Sequence, residues 1–176
     1  MKKAYYYLIA SLPMLHFGMK PPFSYSDFLE TCSPELDRDD TDMLAKLSIE
    51  LSLDIDDKLP LLKKWKRFNR SLGNELARVR AVKKLKDPNK YLRGEDGLDP
   101  FIAPLAHWAV NQSSPVEAEL YLDKIRWEKI EEIKTGHYFD IEYLASYALQ
   151  LQILERWHRI NSEDGMKILE GLAGKI

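Results

Sequence analysis

Between Leu61 and Val82 the apolar residues Leu61, Trp65, Phe68, Leu72, Leu76, Val79 and Val82 recur at every third or fourth position without a break. At about 100° per residue this spacing lays one apolar stripe along a helix. The spacing predicts a helix from near Leu59 to Lys86, roughly 40 Å long at about 1.5 Å per residue. Gly73 lies inside it and costs about 1 kcal/mol relative to Ala. Asp87-Pro88 stops it, and residues 87–99, with Gly94 and Gly97, form a polar loop between two helical halves.

Elsewhere the signals are again helical. Ser24-Tyr-Ser-Asp27 reads as a capping-box variant that starts a short helix through Phe28 and Leu29. Ser33-Pro34 reads as an N-cap followed by proline at the first helical position. Leu44, Leu47 and Leu51 mark one face of a helix from Asp40 to Leu53. Asp99-Pro100 opens a helix through Trp108. Ser114-Pro-Val-Glu117 is a capping box that starts a helix to Lys134, closed by Gly136. Asp140 caps the next, with Leu144, Tyr147, Ala148, Leu151 and Leu154 at helical spacing, and a short last helix carries Met166, Leu169 and Leu172. Only Tyr5 to Leu12 has β-like composition, and residues 1–22 read as an N-terminal arm or a short helix. The expected fold is therefore all-α: one domain over residues 1–176, an irregular bundle of about six or seven helices with one long basic amphipathic helix.

With 176 residues, 45% of them hydrophobic, the chain has material for a core and is not globally disordered. Its single cysteine, Cys32, excludes an internal disulfide framework and fits a reducing compartment. Lys2 and Lys3 before a Tyr-rich apolar run faintly suggest a signal peptide. The run is short, ends at Pro13 and has no convincing cleavage site, and the expectation is a cytoplasmic protein without direct membrane insertion.

The net charge of −2 hides a strong asymmetry. Asp27 to Asp57 holds eleven acids and two bases, a net of −9, and Lys63 to Lys86 holds ten bases and one acid, a net of +9. On a helical wheel the cations fall broadly opposite the apolar stripe, so Lys63, Lys64, Arg67 and Arg70 are candidate partner-binding residues. One reading pairs the acidic and basic segments as a complementary hairpin, in which each exposed ion pair contributes about 0–1 kcal/mol. Another has the basic helix bind an acidic protein partner. Nucleic acid is not expected, because the basic stretch contains no recognised reader motif.

No motif for catalysis emerges. His16, His107, His137 and His158 lack the helical spacing to a second ligand that a zinc site uses. Cys32 reads as a small core residue. The run Asp37-Arg-Asp-Asp-Thr-Asp42 lacks the glycine turn and closing Glu of a calcium loop and reads as an acidic helix start. Phosphate-binding loops, dinucleotide fingerprints and nucleophile elbows are missing. Glu119 with Asp123, and His137 with Asp140, are pairs of generic spacing. The expectation is a protein that is not an enzyme, with no catalytic residue, no cofactor and no metal.

The pattern Tyr5-Tyr-Tyr-Leu-Ile-Ala-Ser-Leu-Pro13, then Phe17-Gly18, Pro21-Pro22, Ser26-Asp-Phe-Leu29 and Cys32, resembles a bacterial family of unknown function. So does Phe139-Asp-Ile-Glu-Tyr-Leu-Ala-Ser-Tyr-Ala-Leu-Gln-Leu-Gln-Ile-Leu-Glu-Arg-Trp157. Members of that family are encoded among the subunit genes of V/A-type ATPases. Their gene position is held elsewhere by the C-type connector, the relative of the eukaryotic d-type connector. The chain is about half as long as a typical C-type connector. The resemblance implies a non-catalytic structural or assembly component, a connector between central stalk and rotor ring, attached to the inner membrane peripherally through the ATPase. The alternative is a free-standing cytoplasmic adaptor whose basic helix binds an acidic partner.

Overall fold

Helical periodicity and caps decide the elements. The computed structural model describes residues 3–49, 59–94 and 100–162. Seven α-helices appear among them: α1 (Tyr6–Ser11), α2 (Tyr25–Cys32), α3 (Arg38–Lys46), α4 (Pro60–Lys83), α5 (Ala103–Val110), α6 (Pro115–Lys134) and α7 (Ile141–Ile160), with a 3-10 turn at Pro88–Tyr91. There is no strand among the described residues, and the fold class is all-α as the periodicity predicts. No helix among them is long and apolar enough to cross a membrane. The helices form two compact units, Met1–Asp56 with Lys134–Ile176, and Asp57–Ile133.

The first unit is built on α7. Leu144, Ala145, Ala148, Leu149, Leu151 and Ile153 are all fully buried, and burial on every side is the mark of a central helix. It is covered by α2 and α3. Phe28 stacks between Tyr25 and Tyr147, at ring separations of 6.0 and 5.4 Å. Polar tips tie the chain to this core. Tyr147 donates to the Pro13 carbonyl at 3.0 Å, Tyr25 donates to the Leu44 carbonyl at 2.6 Å, and Glu155 accepts from the Tyr25 amide at 2.9 Å. The Gln152 amide accepts from Ile49 N–H at 3.0 Å and donates to the Leu47 carbonyl at 2.8 Å, closing the backbone beyond α3.

Tyr6–Ser11 is helical, so the N-terminal segment is a short helix and not a strand. Leu8 and Ile9 point inward, and Tyr5 N–H donates to the Phe139 carbonyl at 2.6 Å. The capping box of α2 is present in both directions between Ser24 and Asp27. Ser33-Pro34 does not start a helix. Ser33 N–H closes α2 on the Leu29 carbonyl, and α3 begins after Asp37. Helix α3 ends at Lys46. The part of the expected helix beyond Ile49, and the expected last helix around Leu169, lie outside the described residues.

In the second unit, Leu72 and Leu76 of α4 join Ile102, Ala106, Ala109 and Leu122 in a buried cluster edged by Phe68, Val79, Val110 and Tyr121. The Trp108 ring lies 3.9 Å from that of Tyr121. Asn74, buried on α4, donates to the Arg93 carbonyl at 3.0 Å and accepts from Arg93 N–H at 2.9 Å. This pair of hydrogen bonds pins the segment after the 3-10 turn against the helix. The predicted stripe holds from Leu61 to Val79, but Val82 is 56% exposed. The helix also stops earlier than expected. Leu85 takes φ +55°, so Leu85 N–H turns back to Val82 O and Lys86 N–H to Ala81 O. That left-handed closure ends a helix before Asp87-Pro88 is reached. A leucine in this conformation is strained by about 1–2 kcal/mol.

Gly73 is exposed in mid-helix, and a Cβ added there meets nothing within 4 Å. Gly73→Ala is expected to stabilise the protein by about 1 kcal/mol. A urea titration followed by circular dichroism checks this, and an unchanged or lowered midpoint would contradict it.

Candidate functional site: the basic face of α4

Helix α4 carries its cations away from the apolar stripe. Lys63, Lys64 and Arg67 are exposed, and none of their side chains has a hydrogen bond or ion pair to another described residue. Proline at the first turn and the buried Leu61, Leu62 and Trp65 fix the N-terminal half as a platform for them. Arg70 departs from the expected surface. It is half-buried, and its guanidinium would lie 3.0 Å from a Cβ placed on Gly94. The structure therefore groups Lys63, Lys64 and Arg67, and turns Arg70 toward the loop.

A second group of cations lies on another side of α4, toward its C-terminal end. Arg78 is occupied by Glu75, at 2.9 and 2.7 Å. Arg80, Lys83 and Lys84 are exposed and line a shallow groove of about 480 Å³ with Val110, Gln112 and Glu119. Lys83 reaches the Val110 carbonyl and Asn111 Oδ1, both at 3.4 Å. Leu85, 97% exposed, stands at the tip among Lys83, Lys84 and Lys86. The arrangement offers positive charge along a rigid helix.

The pairs of generic spacing resolve differently. Glu119 and Asp123 share Arg126, which lies 4.0 and 2.6 Å from them. His137 and Asp140 do meet, and a third group joins them that spacing alone missed. His137 Nδ1 lies 2.7 Å from Asp140 Oδ2, and His137 Nε2 lies 3.2 Å from Glu142 Oε2. The signal was present as His-x-x-Asp-x-Glu across a helix start, where Asp140 accepts from Tyr143 N–H at 3.1 Å as the N-cap. Cys32 is 1% exposed, and burial pushes its thiol up to about 12, which suppresses the thiolate needed for nucleophilic work. Lys3 pairs with Asp37, and Tyr5 donates to Asp40 at 2.6 Å, so part of the acidic stretch is engaged by the N-terminal segment.

Among known proteins, no curated sequence and no solved structure matches the chain. Residues 108–176, which include α6 and α7, match the model of a family described as a protein of unknown function, DUF2764.

Proposed function

We propose that this chain is a non-catalytic binding component that docks on an acidic protein surface through the basic face of α4, and that its partner is the central stalk or rotor ring of a V/A-type ATPase. One observation carries the binding reading: the side chains of Lys63, Lys64 and Arg67 stand exposed on a 24-residue helix without an ion pair to any described residue. Cations held this way steer an oppositely charged partner and fix its register more than they add raw affinity. The choice of partner rests on the resemblance of the N-terminal and α7 motifs to a family encoded among ATPase subunit genes.

Co-expression with the components of that ATPase, followed by pull-down, tests the proposal. The wild type is expected to be retained by a stalk or rotor component, with affinity that falls as salt rises. Reversing Lys63, Lys64 and Arg67 together to Glu is expected to weaken the complex by roughly tenfold or more while the helical spectrum is unchanged. Retention by none of them at micromolar concentration would remove the connector reading and leave the free-standing adaptor.

A further inference from the structure

We propose that His137 and Glu142 form a zinc-binding site, with Asp140 holding the histidine ring in position. Both oxygens of Asp140 are committed. Oδ1 accepts from Tyr143 N–H at 3.1 Å, and Oδ2 sits 2.7 Å from His137 Nδ1. The cap fixes the carboxylate, and the carboxylate fixes the ring, so Nδ1 carries the proton that Asp140 accepts. In the neutral ring, Nε2 then presents its lone pair to Glu142 Oε2 at 3.2 Å. Two lone pairs facing each other repel, and Glu142 is 1% exposed, where water screens little. The contact needs a positive charge between the two atoms, either a proton or a metal ion.

The distance accommodates a metal. An imidazolium donating to a carboxylate closes to about 2.7–2.9 Å. Two ligands of a tetrahedral zinc, each bonded at about 2.0–2.1 Å, lie roughly 3.3–3.4 Å apart. The observed separation of 3.2 Å is one that a shared zinc can span. The donor set also suits zinc, because imidazole nitrogen and carboxylate oxygen are among its ordinary ligands. A histidine held through its other nitrogen by a carboxylate is the usual way that such a ligand is oriented. His137 and Asp140 retain side-chain exposures of 22% and 18%, so the cluster reaches solvent on that side. The ion would tie the turn after α6, where Gly136 takes φ +91°, to the first turn of α7.

The test uses the full chain, freed of metal, titrated with zinc chloride by calorimetry and with cobalt as a visible-absorption probe of geometry. One zinc per chain is expected, with a raised melting temperature in its presence. His137→Ala and Glu142→Gln are expected to abolish this binding. Asp140→Asn keeps an N-cap side chain but not the charge behind the ring, and is expected to weaken zinc by about 10–100-fold. Helical spectra recorded without zinc separate lost binding from lost folding. Nitrogen-edited spectra of the imidazole, with zinc present, are expected to show one protonated nitrogen and one metal-bound nitrogen. No binding at micromolar zinc, equal binding by His137→Ala, or a ring protonated on both nitrogens would overturn the proposal.

Discussion

Replacing Phe28 with Ala is expected to cost about 3–5 kcal/mol of folding stability. The ring is fully buried in the first unit, where it stacks on Tyr147 at 5.4 Å and on Tyr25 at 6.0 Å. Truncation removes apolar area from the core and also two ring contacts worth about 0.5–1.5 kcal/mol each beyond their area. The space cannot close easily. Tyr25 is held by its bond to the Leu44 carbonyl, and Tyr147 by its bond to the Pro13 carbonyl. Net stabilities are only about 5–15 kcal/mol, so the loss is a large fraction of what holds the protein folded. Thermal unfolding of the variant, beside Phe28→Leu as the milder control, measures it. A cost below about 1 kcal/mol would mean that the ring is not packed as described.

The helices were readable because most apolar residues recur with the helical period, and local chemistry at their ends is strong. Ser24 with Asp27, Ser114 and Asp140 cap the helices where the residue types predict. Elsewhere tertiary context chose between local signals. The Tyr-rich segment has strand propensity, yet it is helical because Leu8 and Ile9 are drawn into the core and Tyr5 is tied to Phe139. Ser33-Pro34 has the composition of a helix start and serves instead at the end of α2, where Glu35 and Leu36 both donate to the Cys32 carbonyl. The end of α4 was overrun because its closure depends on a leucine in a conformation that sequence normally signals with glycine. For the candidate surface, Lys63, Lys64 and Arg67 were legible from their place opposite the stripe. The turning of Arg70 toward Gly94 depends on a loop whose path no local pattern specifies. Glu142 was missed for a related reason: it meets His137 across the turn between Lys134 and Ile141, which no helical spacing specifies.

Arg78→Ala is expected to cost near the lower end of about 3–5 kcal/mol, the loss seen when one partner of a buried ion pair is removed. Glu75 is 1% exposed on α4, and its Oε2 takes both the Arg78 Nε, at 2.9 Å, and Nη2, at 2.7 Å. Its Oε1 is buried without a hydrogen-bond partner, so Arg78 is the main compensation for the charge. Without it, a carboxylate would be stranded beside the apolar cluster that contains Leu72 and Leu76. The Arg78 side chain itself is 35% exposed, so its own desolvation is small and the cost falls at the low end. The pairing has a second consequence. Once Glu75 is replaced by Met, Arg78 has no buried charge to neutralise, and its removal becomes almost neutral. Glu75→Met/Arg78→Ala is therefore expected to be more stable than Arg78→Ala alone by about 2 kcal/mol or more. Urea midpoints of the two single variants and the double variant measure that coupling. If Arg78→Ala costs the same in both backgrounds, the arginine supports the helix through packing alone and the ion pair contributes nothing.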